Sequence, residues 1–119
     1  MSSLEAMVCT ACRGDEPPLS RAQIEEYSIQ VPDWKLERVG EVDQLVRLFR
    51  FRNFADALEF TDRIGSLAEE QGHHPTLVTE WGRVTVRWWT HKIRGLHRND
   101  FIMAGKSDEV YGEMKGERS

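Results

Sequence analysis

Three of the four histidines in this sequence fall around one short stretch: His73 and His74 precede it and His91 follows it. An unperturbed imidazole titrates near neutrality. Converging imidazoles therefore suit a reaction in which one proton is donated and another removed at about pH 7. Loss of water from a carbinolamine is such a reaction, because the leaving hydroxyl must be protonated while the neighbouring nitrogen gives up its proton. Glu69 lies one helical turn before His73, where its carboxylate could orient or charge-stabilise an imidazole. Trp81, Trp88 and Trp89 could wall a planar heterocycle, or could belong to the core or a subunit interface. Asp100 falls near the third position of a final helix, where a carboxylate satisfies terminal amides. On these residues alone a histidine metal site competes with acid–base chemistry.

The elements that must carry these residues can be read from local signals. Ser20 and Gln23 have the spacing of a capping box, and Leu19 and Ile24 that of a staple, so a short first helix begins here. Val31-Pro32 disfavours its continuation. Trp34–Val39 alternates as a strand, Gly40 turns, and Val42–Phe51 is a second strand with Arg47 and Arg50 interposed. Asn53 caps a second helix with apolar positions Phe54, Ala57, Leu58, Thr61, Ile64, Leu67 and Ala68, and Gly72 stops it. Segments 76–81 and 83–90 form a hairpin about Gly82, with Val84, Val86 and Trp88 on one face and Arg83, Thr85, Arg87 and Trp89 on the other. A last helix starts near His97 or Arg98 and carries Phe101, Ile102 and Met103. The order αββαββα predicts an α+β fold: a four-stranded antiparallel sheet with helices packed on one face.

The hairpin register tests whether the histidines can meet. With Gly82-Arg83 central, opposed positions sum to 165 and His74 faces His91. With Trp81-Gly82 central they sum to 163 and Gly72 faces His91. Either way His91 lies within about one pair of His73, and opposed β residues have Cβ atoms about 5 Å apart. Pro75 pushes His74 into an extended conformation.

A net charge of −4 with scattered Arg and Lys gives no basic surface for nucleic acid, and no apolar run approaches the length of a membrane span. The N-terminal stretch lacks the order of a secretory signal, so the cytoplasm is the expected compartment. Residues 1–17 read as a flexible tail with few apolar anchors, and residues 18–119 as one domain. Cys9 and Cys12 could be half a zinc site or a redox pair. No second pair completes a four-ligand site, and two reduced thiols on a tail is the simpler expectation.

The spacing Glu69, His73-His74-Pro75, Trp81, His91, Asp100 resembles the signature of the pterin-4a-carbinolamine dehydratases along its whole length. The segments Phe51-Arg52-Asn53-Phe54, Gly82–Val86 and Gly95–Phe101, with the Cys9–Cys12 tail, are similar to bacterial members. The resemblance implies dehydration of 4a-hydroxytetrahydropterin, formed by aromatic amino-acid hydroxylases, to quinonoid dihydropterin. It implies His73 and His91 as the acid–base pair, His74 binding and orienting the pterin, and Glu69, Trp81 and Asp100 on the substrate side. Trp81 stands where many animal members carry tyrosine, which keeps the ring and removes a hydroxyl. The pterin is the substrate, and no other cofactor or metal is expected. Family resemblance also implies a homodimer or homotetramer. It admits a protein partner, such as a hydroxylase or a transcription factor, and the alternative of a non-catalytic dimerisation coactivator or assembly factor.

Overall fold

The computed structural model describes residues 4–7, 9 and 17–118. The elements are α1 (Arg21–Ser28), β1 (Lys35–Val39), β2 (Val42–Arg50), α2 (Phe54–Gln71), β3 (Thr76–Glu80), β4 (Arg83–Trp88) and α3 (Arg98–Arg118). Single turns of 3₁₀ helix lie at Leu4–Ala6 and His91–Ile93. The four strands form one antiparallel sheet in the order β1-β2-β4-β3, which is the expected α+β arrangement.

Local chemistry sets the boundaries. Ser20 and Gln23 form the reciprocal capping box that starts α1. The β1–β2 turn takes positive φ at both central residues, Gly40 at 54° and Glu41 at 67°, which matches the twist of a two-residue hairpin. Asn53 accepts a bond from the Asp56 amide at 2.8 Å and caps α2. Gly72 ends α2 at φ 65°, and the His73 amide then bonds to the Ala68 carbonyl at 3.1 Å, so the chain leaves the helix in a fixed direction.

Helices α2 and α3 cover one face of the sheet. The core between the layers holds Leu45 and Phe49 from β2, Val84, Val86 and Trp88 from β4, Ala57, Phe60, Ile64 and Ala68 from α2, and Phe101–Ala104 from α3. Each fully buried large side chain here contributes roughly 1.5–3 kcal/mol. The inward stripe of α2 is thus centred on Phe60, and Phe54 and Leu58, expected inside, are 45% and 44% exposed. Arg47 points from β2 into the same interlayer space. There it meets Asp108 at 2.6 Å, lies 4.4 Å over the Phe49 ring, and shares Asp108 with the Trp34 indole at 2.8 Å.

The N-terminal segment carries one apolar anchor. Leu4 is 1% exposed within the core, its amide bonds to Gln30 Oε1 at 3.3 Å, and its turn packs on α3. The described part of residues 1–17 is therefore anchored by an apolar side chain. Cys12 lies outside the described residues.

Candidate active site

The site is built where α2 ends, β4 ends and α3 begins. The observed register sums to 163, with Thr76 opposite Arg87 and Glu80 opposite Arg83, so Trp81 and Gly82 are the central turn residues. The ladder stops at Thr76, just after Pro75, which has no amide hydrogen to continue it. Continued along the chain, this register sets His73 opposite Thr90. Asp100 bonds to both of them.

Asp100 is fully buried, and both its oxygens are engaged. Oδ1 lies 2.6 Å from His73 Nε2. Oδ2 accepts from the Thr90 hydroxyl at 2.8 Å and from the His97 amide at 2.9 Å. An ionised carboxylate can only accept, so a neutral His73 ring facing it would carry its hydrogen on Nε2 and a lone pair on Nδ1. Among the described residues Nδ1 of His73 has no hydrogen-bond partner. The ring itself, 11% exposed, stacks on Trp88 at 5.8 Å between centroids and 10° between planes. Trp88 is fully buried and its indole N–H donates to Ser107 Oγ at 3.2 Å, so it forms the floor beneath His73. The arrangement holds the His73 ring between a buried carboxylate and the Trp88 indole.

The start of α3 fixes Asp100. His97 Nδ1 accepts from the Asn99 amide at 3.0 Å while Asp100 Oδ2 takes the His97 amide, an arrangement like a capping box except that the histidine reaches the amide two residues on and not three. Thr90 is held by a bridge to Gly95, with its amide 2.9 Å from the Gly95 carbonyl. Gly95 is required there because a Cβ would stand 2.9 Å from Pro18 Cβ. Thr90 was not among the residues expected in the site, since nothing in the spacing of a lone threonine marks it.

Glu69 pairs with His74 rather than His73: its Oε2 is 2.5 Å from His74 Nε2, and both side chains are well exposed. The helix ends at Gln71, so the one-turn relation between Glu69 and His73 is broken at the left-handed Gly72. His91 joins neither carboxylate pair. Its exposed ring stacks on Trp89 at 4.3 Å and 10°, and it sits in a tight loop closed by the Thr90–Gly95 bridge and by Arg94 at φ 50°. Trp88 and Thr90 are buried and Trp89 between them is not, so the alternation of the chain puts His91 beside Trp89 and His73 on the Trp88 side.

Asp100 and Trp81, both expected on the substrate side, lie at opposite extremes of exposure. Asp100, with no exposed surface, reaches a bound molecule only through His73. Trp81 is 72% exposed at the far tip of the hairpin, about 20 Å of extended chain from His74, so one chain does not bring it to the histidines. No group of three metal-ligating side chains occurs among the described residues, and none of their helices is long and apolar enough to cross a membrane. Burial pushes the Cys9 thiol up to about 11, against the pull of Lys106 and Arg98 and with a contribution from Asp100.

Residues 17–110 match the family described as pterin 4 alpha carbinolamine dehydratase, and the chain belongs to that family. A protein of Nitrosococcus oceani named "Putative pterin-4-alpha-carbinolamine dehydratase" is 54% identical over 110 residues, covering 92% of this chain and 97% of its own. A protein of the same name from Syntrophotalea carbinolica is also 54% identical, over 92% of this chain and 98% of its own. Among solved structures, a transcriptional coactivator/pterin dehydratase from Brucella melitensis superposes with a TM-score of 0.72 at 27% identity, covering 80% of this chain and 99% of that one. A pterin dehydratase-like RuBisCO assembly factor of the alpha-carboxysome shares the fold, with a TM-score of 0.57 at 22% identity over 67% of this chain and 90% of its own.

Proposed function

We propose that this protein dehydrates 4a-hydroxytetrahydropterin, the biopterin form included, to quinonoid dihydropterin in the recycling of tetrahydropterin, within the cytoplasm. The observation that carries the reading is the His73–Asp100 pair, which leaves the other nitrogen of the His73 ring without a partner among the described residues, while the imidazoles of His74 and His91 are exposed. In the reaction the bond from C4a to the hydroxyl oxygen breaks, the N5–H proton leaves, and the C4a–N5 double bond forms. Nδ1 of His73 takes the N5 proton while a second imidazole in its protonated form, that of His91, gives its proton to the departing hydroxyl. One proton enters and one leaves, so water is the only by-product, and proton exchange with solvent resets the pair. Asp100 stabilises the imidazolium that forms on His73. His74, held by Glu69, binds and orients the pterin ring. The pterin is the substrate, and this chemistry calls for no metal.

The assay is turnover of a carbinolamine pterin by the purified protein. Replacing His73 or His91 by alanine should lower the rate by at least about 10²-fold, the usual contribution of a proton-transfer group. His74→Ala should raise KM more than it lowers kcat. A double His73→Ala, His91→Ala variant as fast as the parent would refute the reading, as would a parent no faster than the spontaneous reaction.

A second reading, a protein-binding role, is favoured by the coactivator named in the Brucella structure and by the apolar Leu48 and Val78, 40% and 46% exposed, on the strands. On this reading the protein acts as a homodimer or homotetramer that docks a hydroxylase or transcription factor. Its test is a partner that co-purifies whether or not the histidines are present.

A further inference from the structure

The family match begins at residue 17, yet Cys9 reaches the two places where the His73–Asp100 pair is anchored. The Cys9 amide donates to Gln71 Oε1 at 3.0 Å, and Gln71 is the last residue of α2, two before His73. The Cys9 thiol donates to the Asn99 carbonyl at 3.9 Å, and Asn99 immediately precedes Asp100. Leu4, fully buried against the core, and Met7, packed beside it, fix this segment on α3. The end of α2 and the start of α3 are thus tied by one short piece of chain.

We propose that the segment carrying Leu4 and Cys9 is a strap that holds His73 in register with Asp100, and that Gln71, which receives the Cys9 amide, is a positioning residue for the dehydration. This rests on the dehydratase reading for its kinetic consequence but not for its structural one. If the tie is cut, the end of α2 is free to shift, Nε2 of His73 loses its fixed acceptor, and the ring no longer keeps its lone pair on Nδ1. A base displaced by even about 1 Å can lose up to about 10²-fold in rate, and a loosened one loses less, roughly 10-fold.

The test uses the full chain with Gln71→Leu, which removes the acceptor, and Gln71→Glu, which keeps one. The readouts are the ¹⁵N imidazole shifts of His73, which report its tautomer, and the kcat and KM for the carbinolamine pterin. In the parent and in Gln71→Glu, His73 should be in the Nε2–H form. In Gln71→Leu it should become a mixture, with kcat down roughly 10-fold and KM within two-fold. Leu4→Ala, which releases the strap from its other anchor, should give the same spectral change if Gln71→Leu is too unstable to study. An unchanged His73 tautomer in both Gln71→Leu and Leu4→Ala overturns the proposal. So does Gln71→Glu behaving like Gln71→Leu. A parent without dehydratase activity would defeat the functional reading alone, because the spectra still decide the strap.

Discussion

Asp100→Asn is the most discriminating single change. The side chain keeps its shape, and its carbonyl oxygen can take the place of Oδ2, accepting from Thr90 Oγ1 and from the His97 amide. The amide group then faces His73 Nε2 across 2.6 Å, where two N–H groups would meet. Imidazole escapes by moving its proton to Nδ1 so that Nε2 accepts, which turns the one nitrogen available to substrate from a base into a donor. Turnover of the carbinolamine pterin should fall by about 10²–10⁴-fold, the range for a misplaced or wrong-tautomer base. The fold should lose about 1–3 kcal/mol, because charge-assisted bonds become neutral ones and only one of the two amide hydrogens finds an acceptor, in His73 Nε2. The checks are turnover, a thermal melt and the ¹⁵N shifts of His73. A folded variant with the parent's turnover would show that the His73–Asp100 pair is not the reacting base.

Three further outcomes follow from burial and charge. Leu4→Ala should lower stability by about 2 kcal/mol or more in denaturant titration, since a fully buried leucine is lost; a change under about 0.5 kcal/mol would restore the tail as a dispensable segment. With Cys12→Ser as background, Cys9 should alkylate about 100-fold more slowly at pH 7.5 than a thiol at the ordinary 9.0, because its value is pushed up to about 11. Its folded form binds the proton more tightly, so stability should fall as pH rises from about 9 to 11; labelling as fast as a free thiol would contradict the burial. Asp108 is held above the ordinary carboxylate value first by burial, with the Trp34 indole and Arg47 opposing. The folded state therefore keeps its proton longer than the unfolded one, and that preference is lost as pH rises through the carboxylate range. Asp108→Asn should remove this part of the slope, so the melting temperature of the variant relative to the parent should increase with pH, and a constant difference between pH 3.5 and 6.5 would refute it.

What the sequence disclosed was mostly local. Ser20 with Gln23, Asn53 and Gly72 each carry their own reason to begin or end a helix, and alternation at Val84, Val86 and Trp88 fixes the inward face of β4. The stripe of α2 was less legible. Phe54 and Leu58 fit a helical spacing as well as Ala57, Phe60 and Ile64 do, and only docking on the sheet selects between these neighbouring faces. The hairpin register stayed open for a similar reason, since Trp81-Gly82 and Gly82-Arg83 both offer a turn with glycine. The Glu69 pairing failed on a single residue, because Gly72 turns left-handed before the helix can carry His73 onto the same face.

Asp100 shows why a residue's role can be hidden by a correct local reading. Its place three residues after His97 calls for a capping carboxylate, and Oδ2 does cap the helix. A cap uses one oxygen, however, and leaves Oδ1 buried with a lone pair that needs a donor. The donor comes from His73, 27 residues away, brought there by the Gly72 turn and by a hairpin register that sets His73 opposite Thr90. The carboxylate that fixes the helix start therefore also fixes where the His73 ring must stand. Stability and proposed catalysis draw on the same carboxylate, so a substitution that spares the cap, as asparagine does, is the one that separates them.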